Sequence, residues 1–230
     1  MQQVKVWSAL GLLAVSGMAH AGISSTITLT NDYDFRGVTQ SAQDPALQAS
    51  FDYSDENSGW YAGAWASNVD FGDETDFELD LYTGFAGKTD AGLGWDAGFV
   101  YYTYDEDDYN FAEIYAGLSY SYFKGKLSYT NDYGGDSTSG NVSGINLSLD
   151  ASVPLPVENL AATAHVGRSE FGRGVADYTD YSVGVTYAVQ KFNLGLKYVD
   201  TNLPDPPPSA DDVFSGEGRF VFTVSTTLPW

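Results

Sequence analysis

His165 is the residue around which a catalytic centre would have to be assembled, because the chain's other histidine, His20, lies in an N-terminal leader. A hydrolase needs a serine nucleophile, a histidine base and a carboxylate that orients it, all within hydrogen-bond reach. Ser148 and Ser182 are serines that a fold could bring beside His165. No nucleophile-elbow pattern accompanies either of them, and an inward-facing structural histidine is the expectation. No enzyme activity, catalytic residue or cofactor is therefore expected. Two carboxylate-rich runs, Asp70-Phe71-Gly72-Asp73-Glu74-Thr75-Asp76 and Asp105-Glu106-Asp107-Asp108, hold ligand types suited to Ca²⁺ but lack EF-hand spacing. They read as solvated surface loops, and no metal site is assigned to them.

More informative are charges set at alternate positions in apolar stretches. Asp32, Asp34 and Arg36 are spaced two apart, as are Glu78 and Asp80; Asp96, Glu113, Lys126, Lys197 and Arg219 are similarly embedded among aromatic and aliphatic residues. In a strand, residues two apart share one face. These ten residues would therefore line a charged interior while their neighbours face outward. Acids fall on the fourth to sixth expected strands. Lys197, Arg219 and Arg36 fall on the eleventh, twelfth and first, so the expectation is an acidic wall facing a basic one, with Arg36 at the outer mouth. Opposed charges of this kind set ion preference and orient dipolar solutes. The competing expectation is that the charges pair directly and fill the lumen.

The elements that would position these charges are strands. After residue 22 no helical period appears, whereas period-two alternation recurs between clusters of Gly, Asp, Asn, Ser and Pro. Twelve strands are predicted near 24–35, 46–54, 60–69, 76–86, 92–104, 111–122, 126–133, 142–153, 158–168, 179–189, 191–200 and 219–230. Outward rows include Ile27, Leu29, Tyr33 and Phe35; Leu93, Trp95, Ala97, Phe99 and Tyr101; and Tyr181, Val183, Val185, Tyr187 and Val189. The last strand presents Phe220, Phe222, Val224, Thr226, Leu228 and Trp230 on one face. Turns after even-numbered strands are short. Those after odd-numbered strands are mostly longer or more acidic, the last carrying Leu203-Pro204-Asp205-Pro206-Pro207-Pro208, read as a stiff spacer.

An even strand count with sorted loops fits an antiparallel up-and-down transmembrane β-barrel with both termini on the periplasmic side. Hydrocarbon leaves backbone N–H and C=O groups unsatisfied, so such a sheet must close on itself. A soluble β-sandwich explains the alternation equally well but not the terminal aromatic or the loop sorting. Residues 1–21, with Lys5, the apolar run Val6 to Val15 and Ala19-His20-Ala21, read as a cleaved signal peptide, leaving 22–230 as the barrel.

Composition agrees. The chain has 31 acidic against 10 basic residues, a formal charge of −21 and no cysteine. Nucleic-acid binding needs the opposite sign, and thiol chemistry and disulfides are absent. Seventeen Tyr, 13 Phe and 5 Trp argue against disorder despite the acidity.

Specific pieces of the chain resemble a known family. Asn31-Asp32-Tyr33-Asp34-Phe35-Arg36-Gly37-Val38-Thr39-Gln40-Ser41 resembles the opening motif of TorF-type porins, a family of proteobacterial outer-membrane proteins long of unknown function. The likeness continues in Asp44-Pro45-Ala46-Leu47-Gln48, Gly59-Trp60-Tyr61-Ala62-Gly63, Ser67-Asn68-Val69-Asp70-Phe71, Glu78-Leu79-Asp80-Leu81-Tyr82-Thr83-Gly84, Tyr101-Tyr102-Thr103-Tyr104 and Glu113-Ile114-Tyr115-Ala116-Gly117. It implies an outer-membrane location and a pore, and carries over no catalytic residues.

The expected function is thus a passive diffusion channel for small hydrophilic solutes or ions. The alternative is a closed barrel that presents acidic loops without transport. Inward Gly84, Gly98, Gly117, Gly184 and Gly195 favour room in the bore, whereas inward Tyr82, Tyr102 and Tyr115 favour filling. Expected partners are outer-membrane lipid, lipopolysaccharide and the barrel-assembly machinery, the last reading the C-terminal strand that ends in Trp230.

Overall fold

The computed structural model describes residues 22–138, 141–172, 174–204 and 212–230. The expected leader, residues 1–21, and the 205–208 part of the proline run lie outside the described residues. Fourteen strands are present: β1 (Gly22–Thr30), β2 (Asp34–Phe35), β3 (Val38–Thr39), β4 (Ala46–Ser54), β5 (Trp60–Asn68), β6 (Phe77–Lys88), β7 (Gly94–Tyr104), β8 (Phe111–Tyr120), β9 (Phe123–Thr130), β10 (Gly144–Pro154), β11 (Leu160–Phe171), β12 (Tyr178–Val189), β13 (Phe192–Thr201) and β14 (Arg219–Pro229). β1 and β4–β14 form a closed antiparallel barrel, each strand paired with its chain neighbours and β14 with β1. These are the twelve strands expected, with ends shifted by a few residues.

Closure satisfies the two edges an open sheet would leave bare. The final pairing runs from Ser24 opposite Pro229 to Thr30 opposite Thr223. Trp230 extends it: its backbone N–H donates to the Ile23 carbonyl at 2.9 Å, and its indole N–H to Ser25 Oγ at 2.7 Å.

The outer face is apolar. Leu29, Phe51, Leu81, Phe99, Ile114, Leu127, Leu147, Val183 and Phe222 all project from it, the most exposed at 62 %. So many exposed large apolar side chains in one continuous band are incompatible with water and match a hydrocarbon environment. No described helix is long and apolar enough to cross a membrane. At one end five turns are short; Gln190, with φ +56°, reverses β12 into β13 almost at once. The other end carries the longer connections.

One element departs from the expectation. The first strand does not continue to residue 35. It ends at Thr30, and residues 31–45 fold into the barrel as the β2–β3 hairpin. Asn31 makes the exit possible: its side chain donates to the Phe220 carbonyl at 3.1 Å and accepts from the Phe222 N–H at 2.5 Å, occupying the β14 edge as the backbone leaves. Arg36 and Gly37 then form the turn with φ +52° and +85°. Two consecutive positive φ values are what a primed two-residue hairpin turn requires. Tyr33 and Phe35 consequently face inward, correcting their expected outward placement. Tyr33 is buried with Ala46, Val69 and Phe71, and Phe35 packs between this group and a second one formed by Tyr61, Tyr82, Val100, Tyr102, Phe111 and Tyr115.

Candidate functional site: the charged bore

The ten charged residues singled out by spacing face the interior, but their grouping differs from two opposed walls. Six form one network around the hairpin. Arg219 on β14 binds Asp32 through Nε, donates to Asp34 Oδ1 at 3.2 Å, and donates to the Gly37 carbonyl at 2.9 Å. Lys197 on β13 donates to Asp34 Oδ2 at 2.5 Å. Thr39 completes the shell of Asp32 with a 2.5 Å hydroxyl bond. The basic side of the barrel is therefore neutralised by hairpin carboxylates and does not stand as a free wall. This is the expected outcome for buried charges, whose desolvation must be offset by close partners.

Arg36 extends away from that side. One guanidinium nitrogen donates to both carboxylate oxygens of Glu113 on β8, at 2.6 and 2.8 Å. Tyr102 donates to the same carboxylate at 3.1 Å, and its ring meets Phe35 edge-on at 5.9 Å. Around the ring, β8 lies five strands from β1 in one direction and seven in the other. The hairpin thus crosses the bore from the β13–β14 side to nearly the opposite wall. Arg36 is a crossbar residue, not a residue of the outer rim.

Glu78, Asp80 and Asp96 lie on the inner face of β6 and β7 without an ion pair among the described residues. Lys126 on β9 also pairs with no carboxylate there; its ammonium stands 5.3 Å from the Tyr115 ring centre.

Tyrosines and glycines share the β5–β8 wall in a cross-strand pattern. Tyr61 lies opposite Gly84, Tyr82 opposite Gly63, and Tyr115 opposite Gly98. A Cβ built on each glycine would come within 2.4–2.6 Å of the facing tyrosine hydroxyl oxygen. The rings therefore lie flat over the glycines, along the wall rather than across the bore. Tyr61 and Tyr115 join through their hydroxyls at 2.7 Å, and Tyr82 donates to Asp52. Spacing alone set room-making Gly against space-filling Tyr; the register shows that Gly63, Gly84 and Gly98 each make room for one tyrosine, whereas Gly117 faces Asp96, Gly184 faces Lys197 and Gly195 faces Thr223.

His165 faces the bore between two carboxylates. Its Nδ1 is 2.6 Å from Asp150 Oδ1 and its Nε2 is 2.7 Å from Asp180 Oδ1. Ser182 is its direct cross-strand neighbour on β12, but both imidazole nitrogens are engaged by carboxylates. A general base needs one nitrogen free for the nucleophile's proton. Sequence reasoning missed Asp150, Asp180 and Asp52, and placed Tyr102 inward only as a space-filling residue; all four sit on inward rows, which was the available signal.

At the long-loop end some carboxylates are structural. Asp105 accepts the N–H groups of Asp76 and Phe77, and Asp73 accepts the Tyr109 hydroxyl at 2.6 Å. Among the described residues no cluster of three or more His, Cys, Asp or Glu is arranged to hold a metal ion.

A closed twelve-strand antiparallel barrel with an apolar outside and a charged inside is an outer-membrane porin-like fold. The chain belongs to the Gcw_chp family, bacterial proteins of unknown function, whose model matches residues 15–228. No curated protein sequence matches it. Among solved structures it is similar to the KdgM porin, at 8 % identity over 91 % of this chain and 99 % of that one with a TM-score of 0.55. The NanC porin is similar at 9 % identity over 88 % and 98 %, with a TM-score of 0.53. A chain solved in work on the in-meso crystallization of membrane proteins gives 13 % identity over 92 % and 84 %, and a TM-score of 0.58. At these identities the likeness is one of fold.

Proposed function

We propose that this protein is an outer-membrane porin, a passive diffusion channel for small hydrophilic solutes or ions, whose bore is narrowed by the inward hairpin 31–45. The observation that carries the reading is the tyrosine-over-glycine wall. A barrel built only for structure has no need to flatten its largest inward side chains against β5–β8. Twelve strands enclose more space than the eight that side chains alone can fill, and less than the sixteen of wide porins. The resemblance of the 31–117 motifs to TorF-type porins points the same way. In this reading Asp32, Asp34, Arg36, Glu78, Asp80, Asp96, Glu113, Lys126, Lys197 and Arg219 line the path or its constriction, and Trp230 presents the terminal strand to the barrel-assembly machinery.

A second reading rests on the crossbar. Direct pairing of Arg36 with Glu113, and of Arg219 and Lys197 with the hairpin acids, favours a closed barrel that displays its acidic loops to lipopolysaccharide or a partner. Planar-bilayer recording on the refolded protein separates the two. Discrete conductance steps support the channel. A folded, heat-modifiable barrel that carries no current, even after the hairpin is shortened, supports the closed barrel.

A further inference from the structure

The inward rows are not evenly open to water. Toward the long-loop end they are dry: Thr30 on β1, Ser128 on β9, Asn146 on β10, Ser169 on β11, Asp180 on β12 and Val199 on β13 are 0–6 % exposed. Toward the short-turn end the same rows are only half-buried, as at Ser24, Asp96, Lys124, Ser152, Thr163 and Gly195. The boundary falls within single strands. On β9, Lys126 is half-buried and Ser128, two residues on, is buried. Side chains as small as serine and asparagine do not fill a twelve-strand bore by themselves, so something must lie over them.

Two parts of the chain do. The hairpin meets the wall on five strands besides the two that flank it. Phe35 touches Tyr102 on β7, Arg36 bonds Glu113 on β8, Asp34 bonds Lys197 on β13, and Asp32 bonds Arg219 on β14. The Gly37 turn sits so close to β12 and β13 that an added Cβ would strike Asp180 and Thr201. A row of rings covers the remaining sector: Tyr133 lies 5.3 Å from Phe111 and 4.5 Å from Phe171, which lies 6.1 Å from Tyr178.

The two parts differ in how they are held. The rings pack on one another, and separating them exposes apolar surface. The base of the hairpin is equally fixed, with Tyr33 buried among Ala46, Val69 and Phe71. Its tip is held mainly by ion pairs and hydrogen bonds, which exchange for bonds to water at a small net cost each. The tip is therefore the part that can leave.

We infer that the bore is a chamber entered from the short-turn end and stoppered at the long-loop end, and that a solute crosses only when the hairpin tip, residues 35–38, withdraws from Glu113 and the β12–β13 wall while Tyr33 stays anchored. The inference rests on the channel reading above and adds its regulation: in this conformation the channel is shut.

The chain contains no cysteine, so a single introduced thiol reports alone. The test compares Ser152→Cys, in the chamber, with Ser128→Cys, beneath the stopper, in their reaction with a charged methanethiosulfonate on the refolded full barrel. Ser152→Cys should react readily and Ser128→Cys more than about tenfold more slowly, because it must wait for a local opening. Adding Arg36→Ala should bring Ser128→Cys close to the rate of Ser152→Cys. Glu113→Gln, which keeps an oxygen for Arg36, serves as the releasing variant where Arg36→Ala does not fold. In planar bilayers the releasing variants should be open for a larger share of the record than the wild type. Equal reactivity at the two positions without a releasing substitution overturns the stopper, and so does a wild type that conducts without interruption; both leave the channel reading intact. A slow Ser128→Cys that neither releasing variant accelerates overturns the hairpin as the moving part. Thiol rates as expected with no current in any form instead remove the channel reading on which the inference rests.

Discussion

Arg36 and Glu113 meet at 2.6 Å across the bore, although 77 residues separate them in sequence. The arginine rides on a hairpin anchored to one side of the barrel, and the glutamate stands on the other. Their side chains are 12 % and 2 % exposed. This contact holds the hairpin across the lumen, so its removal has both an energetic and a functional consequence. Arg36→Ala strands a buried carboxylate and should lower stability by about 3–5 kcal/mol. Single-channel conductance should rise at the same time as the crossbar releases. Urea unfolding in lipid vesicles and bilayer recording measure the two, and a stable variant with unchanged conductance would show that the hairpin does not constrict the path.

Gly37 tests the same hairpin from its turn. Its φ is +85°, and an added Cβ would lie 2.5 Å from Thr201 Cγ2 and 2.6 Å from Asp180 Cβ. Gly37→Ala therefore combines a left-handed backbone penalty of about 1–2 kcal/mol with a steric clash. The expected result is a lower urea midpoint with the barrel's strand content retained, read by circular dichroism. A midpoint equal to wild type would mean the hairpin is not packed as described.

The tyrosine-over-glycine wall makes an opposite prediction for conductance. In Gly84→Ala, the new methyl would fall 2.4 Å from the Tyr61 hydroxyl and 2.5 Å from the Ala97 carbonyl. The ring must lift off the wall into the bore. Conductance should fall, and Tyr61→Ala in the same background should restore it. No change in Gly84→Ala would remove the wall's role in keeping the bore clear.

At the outer mouth Tyr109 donates to Asp73, holding that carboxyl below its ordinary range; partial burial and the same bond push the tyrosine up to about 12. A carboxyl lowered by folding adds stability above its unfolded value and loses it as pH falls through the lowered one. The raised tyrosine adds stability below its own unfolded value and loses it as pH rises through about 12. The stability difference between wild type and Tyr109→Phe should thus be present at neutral pH and vanish at both extremes. A difference independent of pH would assign the effect to packing alone.

The lipid-facing surface can be probed at Val183, near the middle of β12 and 62 % exposed. Val183→Arg places a charge against hydrocarbon and should cost about 2–4 kcal/mol of folding stability in vesicles. An equal stability in the two forms would argue against that face meeting lipid.

The sequence by itself determined the wall of this protein. Alternation of large apolar residues with small or polar ones places every side chain of a strand on one face or the other, so Phe220, Phe222 and Leu228 had to face out and Arg219 in. The short turns sorted to one end for the same local reason, because a hairpin's connection is set by adjacent residues such as Gln190. Tertiary structure decided what happens inside. Tyr33 and Phe35 continue the alternation of β1, and the chain leaves the wall there only because Asn31 can cap β14 and Arg36-Gly37 can turn; the Phe-Arg-Gly-Val run was the one local hint. The partners of Arg36 and Arg219 lie 77 and 187 residues away. Periodicity carries no information about which groups meet across a bore. Closure of the sheet brings them together, and the cost of burying an unpaired charge selects the pairs. That is why ten inward charges could be picked out by their spacing while Asp52, Asp150 and Asp180 were missed, and why the pairing of six of the ten in a network around the hairpin appeared only once the barrel was closed.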